Sequence, residues 1–210
     1  MTRKHLAIAL VLAIAPLSAH AAGGMDYSYI GAGWMKTDID GVGDGYGPAL
    51  EGAIELGANV HLFGGYARQS ESEQGIDVDL DALRFGVGYN RPFNERVDFV
   101  ARAAYERMEM EASDGAASAD ARIDGISVEA GIRGLLNPSL EGWLMGGFAE
   151  VDRLEIEGDS VATDSSEDHQ AYGRVGLQLK FAPTSPWGLV GEARISDEYQ
   201  QYFAGVRASF

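Results

Sequence analysis

The sequence contains no cysteine, which excludes a disulfide scaffold, a cysteine-ligated metal centre and a thiol enzyme. Proline is scarce at 6 residues. The abundant glycine, 28 of 210, therefore does not belong to a Pro/Gly-rich disordered composition. Basic side chains are few: 16 Lys and Arg stand against 32 Asp and Glu, for a formal charge of −16. That balance excludes nucleic acid as a partner, because its phosphates would be repelled. No apolar run reaches the ~18 residues of a helical membrane span. Past the first segment, the 3.6-residue period of an amphipathic helix is almost missing as well.

What is present begins with an export signal. Arg3 and Lys4 form a basic start, Leu6 to Leu17 an apolar stretch, and Ala19-His20-Ala21 a small-x-small cleavage site. Residues 1–21 read as a cleaved signal peptide and 22–210 as one exported domain with a net charge of −18.

That domain is a series of period-two runs of about ten residues, the length of a membrane-spanning β-strand. Ten candidates lie near 27–37, 47–56, 60–69, 81–91, 97–108, 123–135, 140–151, 171–181, 187–196 and 200–210. Short turns at 57–59, 92–96, 136–139 and 182–186 alternate with long polar loops at 38–46, 68–81, 107–124 and 150–168, and a brief one at 196–200. Tight periplasmic turns and long external loops are the asymmetry of an outer-membrane barrel. The predicted fold is all-β: a transmembrane antiparallel up-and-down β-barrel. Ten strands are favoured, and eight follow if one weak pair merges, with the 196–200 hairpin the first place to look. An even count places both termini in the periplasm of a Gram-negative bacterium.

A soluble β-sandwich also alternates, so aromatic placement carries the distinction. Tyr89, Phe99, Phe181, Trp187 and Phe210 fall at the short-turn ends of the apolar face, and Trp34, Tyr66, Tyr105, Phe148 and Tyr202 towards the long-loop ends. Two bands on one face are interfacial girdles. The last strand alternates up to Phe210, an ending that resembles the signal read by the barrel-assembly machinery.

The opposite parity lines the lumen. It places Glu51, Glu55, Glu106, Glu129, Glu141 and Glu192 inside, with Arg84, Arg102, Arg133, Arg174, Lys180, Arg194 and Arg207. In so narrow a barrel these charges pair across the axis. Such near balance points to a closed, salt-bridged interior; a selective pore would show an excess of one sign. Arg84, Arg102, Glu106, Glu129, Arg133, Arg174, Glu192 and Arg194 are the expected network.

The long loops hold 23 of the 32 acidic residues and four arginines, a net −19. Asp38, Asp40 and Asp44, spaced by glycines, are reminiscent of a calcium loop but lack its twelve-residue pattern and closing glutamate. Weak Ca²⁺ or Mg²⁺ binding there competes with a simply solvated face, and no other cofactor is expected. His61, beside a short turn, reads as a lumen or interface histidine. His169, next to Asp168 and near Ser165 and Ser166, is the one histidine candidate for a rim hydrolase, although triad partners converge in space and not along the chain.

Several blocks resemble a known family. His61-Leu62-Phe63-Gly64-Gly65-Tyr66, Arg84-Phe85-Gly86-Val87-Gly88-Tyr89-Asn90, Val128-Glu129-Ala130-Gly131-Ile132-Arg133, Pro138-Ser139-Leu140-Glu141-Gly142, Tyr172-Gly173-Arg174-Val175-Gly176 and Trp187-Gly188-Leu189 resemble the small outer-membrane β-barrel proteins of the xanthomonad group. These are often labelled as regulated by diffusible signal factor. The resemblance implies an outer-membrane location, secretion in vesicles, and links to motility, biofilm and virulence. It carries over no catalytic residue. The resulting expectation is a non-enzymatic barrel with a structural or surface-interaction role, in contact with lipid, lipopolysaccharide and an unidentified surface partner. The alternatives are a small cation-preferring pore and a rim-located hydrolase.

Overall fold

The computed structural model of the chain describes residues 25–39, 43–57, 59–73, 76–113, 118–157 and 169–210; the expected signal segment 1–21 lies outside them. Ten strands form one closed antiparallel barrel. They are β1 (Tyr29–Ile39), β2 (Gly43–Gly57), β3 (Val60–Glu73), β4 (Ile76–Asn94), β5 (Val97–Ser113), β6 (Ser118–Asn137), β7 (Leu140–Glu157), β8 (His169–Lys180), β9 (Trp187–Ser196) and β10 (Tyr199–Ser209). Each pairs with its neighbours in sequence, and β1 closes on β10 from Tyr29↔Ser209 to Ile39↔Tyr199. Closure satisfies every strand edge, the condition for a sheet to cross lipid. The hairpin at 197–198 keeps β9 and β10 separate, which gives ten strands and not eight.

Alternation in sequence becomes two faces in space. On β4, Leu83, Phe85, Val87 and Tyr89 point outward at 38, 53, 46 and 43% exposure, while Arg84, Gly86 and Gly88 turn inward. Such an apolar exterior is what hydrocarbon requires. Trp34, Tyr66, Phe148 and Tyr202 stand exposed towards one end of the barrel and Tyr89, Phe99, Phe181 and Trp187 towards the other.

Two expectations need correction. Residues 25–28 are not strand: β1 begins at Tyr29, and Met25, Tyr27 and Ser28 are buried inside the barrel. Most of the segments expected as long loops are also ladder. β3 and β4 stay paired up to Glu73↔Ile76, and β5 and β6 up to Ser113↔Ser118. The β1–β2 pairing likewise reaches Ile39↔Gly43.

Those projecting hairpins reverse the polarity of the barrel. Below, in the membrane zone, apolar groups face out. Above it, Asp79, Asp81, Glu109 and Asp124 take the outer face, and Leu80, Met108, Met110 and Ile123 the inner. The period stays at two, but the sides exchange.

Inside, several aromatic side chains lie flat over a glycine on the next strand. Trp143 sits opposite Gly176, and a Cβ at Gly176 would come within 2.2 Å of Trp143 Cζ2. His61 sits opposite Gly88, where a Cβ would come within 2.1 Å of His61 Nε2. Glycine is needed at these positions for the close approach of a ring.

Candidate functional site

The lumen is organised around Glu129, whose side chain has no solvent exposure. Arg84 Nη2, Arg102 Nη1 and Arg174 Nε approach its carboxylate at 3.3, 3.6 and 3.1 Å, and Tyr172 donates its hydroxyl to Oε2 at 3.0 Å. Glu106 takes Arg84 Nε at 3.0 Å and Arg194 Nη1 at 2.8 Å, and accepts from Ser127. Glu192 accepts from Arg174 at 3.1 Å and from the Trp143 indole at 2.8 Å. Strands β4 to β9 supply these groups, and Arg194 of β9 reaching Glu106 of β5 carries the network across the lumen. A buried charge without a partner is costly, and here each carboxylate is shared by two or more donors.

Seven of the eight lumen residues named from sequence are thus brought into one linked group: Arg84, Arg102, Glu106, Glu129, Arg174, Glu192 and Arg194. Arg133 stands apart, paired with Glu141. A second separate pair joins Arg207 to Glu51 at 2.7 Å, with the guanidinium 4.0 Å from the Tyr29 ring centre. Parity found the inward charges. It could not find the partners, because pairing depends on barrel curvature and stagger.

The segment 25–28 fills the short-turn end of the lumen, a feature that sequence reasoning missed. Tyr27 stacks on His61 at 4.9 Å between ring centres and lies 4.5 Å beneath the Arg133 guanidinium. Its hydroxyl donates to Asp98. Arg133 Nη2 donates to the Asp26 carbonyl at 2.9 Å, and Lys180 reaches the Asp26 carboxylate at 3.8 Å. Ser28 accepts from the Phe210 backbone N–H at 3.0 Å and from the Glu55 N–H at 3.0 Å. Clusters of this kind, with ring, guanidinium and carboxylate each engaged, hold a segment firmly.

At the opposite rim, Asp38 and Asp44 share the outer face, and Lys36 lies between them, 2.7 Å from Asp44 and 3.9 Å from Asp38. Tyr46 also donates to Asp44. Together Lys36, first, and Tyr46 hold the Asp44 carboxyl below the usual carboxylate range. Asp40 lies outside the described residues. Among the described residues, no three acidic or histidine side chains are grouped so as to hold a metal. The rim repeats one contact: a girdle tyrosine donates to an acid just above it, Tyr66 to Asp81 and Tyr105 to Asp124. Tyr105, first, and Arg107 hold the Asp124 carboxyl low as well. His169 is the first residue of β8; its side chain, with Ser165, Ser166 and Asp168, lies outside the described residues.

Between rim and network the lumen opens into a cavity of about 360 Å³. Met35, Ile39, Met108, Met110 and Ile123 line its mouth, Arg84, Arg102 and Trp143 its deeper wall, and it reaches as far as Arg133 and Arg207.

Residues 7–144 match the sequence profile of the family described as outer membrane protein beta-barrel domain. No curated protein matches the chain in sequence. Solved structures of similar fold include Ail, the attachment invasion locus protein of Yersinia pestis. It is 14% identical, with 87% of this chain and 99% of that one covered at a TM-score of 0.44. The translocator domain of the autotransporter NalP from Neisseria meningitidis is 14% identical over 99% of this chain and 94% of that one, at 0.49. OprG from Pseudomonas aeruginosa is 9% identical over 90% and 98%, at 0.47.

Proposed function

Because the chain belongs to the outer membrane protein beta-barrel domain family, we propose that it serves at the Gram-negative cell surface as a closed, non-enzymatic barrel presenting acidic hairpins. The observation that carries this reading is the filled short-turn end, where Tyr27 is anchored by His61, Arg133 and Asp98. The Glu129 network above it crowds the lumen with paired charges, and an ion path would still have to displace the 25–28 segment. Orientation follows from the hairpins: both termini and the short turns sit in the periplasm, and the projecting strands face outward. Phe210, the residue after β10 and on the parity of Tyr202, Ala204 and Val206, fits a role as the assembly signal.

The outer faces of the hairpins carry the surface role. Their carboxylates stand where divalent cations could join them to lipopolysaccharide phosphates. A link to the xanthomonad barrels, with their association with biofilm and virulence, rests on the glycine-rich blocks in order along the chain.

Single-channel recording of the refolded barrel in a planar bilayer tests the reading. Silence from protein shown to be folded is expected. Discrete cation-preferring openings would replace it with the pore, and a hydrolytic activity abolished by His169→Ala would replace it with the enzyme.

A further inference from the structure

The polarity reversal above the membrane zone builds a half-cup. Soluble binding barrels have apolar interiors and charged exteriors, and the projecting parts of β4, β5 and β6 have that arrangement on a chain whose membrane zone has the opposite one. Projecting hairpins with no use for an interior would be polar on both faces, since both would meet water. Here Met108 and Met110 on β5, Leu80 on β4 and Ile123 on β6 turn inward, while Asp79, Asp81, Glu109 and Asp124 on the same strands turn outward. Met35 and Ile39 of β1 complete the mouth from the lower side. Methionines suit such a wall because their flexible thioethers adapt to an irregular apolar guest. The enclosed volume, about 360 Å³, lies in the range of small-molecule sites, which combine apolar walls with a few placed polar groups.

The polar groups are at the base, and they are not neutral. Among the described residues, the linked network sets four guanidiniums, Arg84, Arg102, Arg174 and Arg194, against three carboxylates, Glu106, Glu129 and Glu192. Arg102 is the least engaged. Among the described residues its one ion pair is the 3.6 Å approach to Glu129, a carboxylate already held more closely by Arg84 and Arg174. Its side chain is only 9% exposed, its Nε, like that of Arg84, Arg174 and Arg194, has no hydrogen-bond partner, and it lines the cavity beside Phe63. A nine-tenths buried guanidinium with a spare donor is completed by an anion.

We propose that the cavity is a binding site, open to the outside, for a small amphiphile with an unbranched apolar tail and one carboxylate. The carboxylate meets Arg102 and the tail lies along the methionine wall. The site receives a ligand and does not pass it on, because the 25–28 segment lies beneath it. It is independent of whether the hairpins bind cations.

Trp143 lines the same cavity and provides the reporter, being one of only three tryptophans in the sequence. With Trp34→Phe and Trp187→Phe in place, the barrel in zwitterionic lipid nanodiscs is titrated with 2-bromodecanoate, whose bromine lies beside the carboxylate, at the Trp143 end of the cavity, and quenches indole emission on contact. Saturable quenching is expected. It should weaken about tenfold in Arg102→Gln, the loss of one charged hydrogen bond, and by a similar factor when 2-bromodecan-1-ol replaces the acid. Met110→Asp, at the rim and clear of the network, should weaken both compounds. Folding of each variant is checked by heat-modifiable gel mobility. If Arg102→Gln fails to fold, the acid–alcohol comparison and Met110→Asp still decide. Unsaturable quenching unaltered by either substitution would show lipid partition alone and overturn the site, and equal affinity for acid and alcohol would overturn the role of Arg102.

Discussion

Tyr27 and Asp98 meet across 71 positions of sequence, the tyrosine hydroxyl donating to Asp98 Oδ2 at 2.8 Å. Removing that hydroxyl in Tyr27→Phe strands the buried carboxylate and should cost about 1–3 kcal/mol in urea unfolding. Tyr27→Ala also removes the ring that His61 and Arg133 enclose. Ion leakage through the short-turn end should then rise above the wild-type level in planar bilayers. Unchanged silence would mean the Glu129 network alone seals the lumen.

Glu129→Gln leaves Arg84, Arg102 and Arg174 without their shared anion. The expected loss is about 3–5 kcal/mol, that of breaking a buried ion pair. Glu51→Gln, which breaks one partly exposed pair with Arg207, should cost distinctly less. Equal losses in parallel unfolding titrations would contradict the central place of Glu129.

At Gly176 an added methyl would meet the Trp143 ring at 2.2 Å. The indole must move, and its bond to Glu192 goes with it. Gly176→Ala should therefore destabilise by about 1–3 kcal/mol, as overpacking does, and should shift tryptophan emission. Gly173→Ala is the control: nothing lies within 4 Å of the added atom, so stability should change by no more than about 0.5 kcal/mol.

Lys36 and Tyr46 keep the native pKa of Asp44 below its unfolded value of ~3.9. Whatever the contact adds to stability is therefore complete above that pH, and disappears as pH falls through the native value. In Lys36→Met, Asp44 should titrate closer to the ordinary carboxylate range, as followed by carboxyl carbon resonances. An unmoved titration would remove Lys36 as the cause.

If divalent ions tie the acidic hairpins to lipopolysaccharide, chelation should speed proteolytic nicking of the hairpins in intact outer membranes. Identical digestion with and without chelator would leave the carboxylates merely solvated.

Much of this was legible because a lipid-facing strand announces itself. Leu83, Phe85, Val87 and Tyr89 against Arg84, Gly86 and Gly88 fix a face, and the two aromatic bands fix its ends. The ladder beyond Asp81 was not legible for a physical reason. Val78 and Leu80 still alternate with Asp79 and Asp81, but with apolar groups inward, so a search for lipid-facing strands stops where the membrane does. Alternation misled in the other direction at Tyr27, where the first run, 27–37, was expected to begin. Its partners, His61, Asp98 and Arg133, come from three distant strands, and no local pattern reports them. For the charges, parity told which side they face, while the sharing of Glu129 among three arginines required the closed ring.

The exchange of faces near Asp81 also acts as a waterline. Lys36 on β1 and Arg68, Asp81, Arg107 and Asp124 on β3 to β6 stand just above the apolar band. A barrel riding one residue pair deeper would draw this ring towards hydrocarbon, at up to about 1 kcal/mol for each charge near the interface. Riding higher would lift Leu83 and Tyr105 into water. Small penalties repeated around the circumference make a steep well, so the strands that close the cylinder also set its draught.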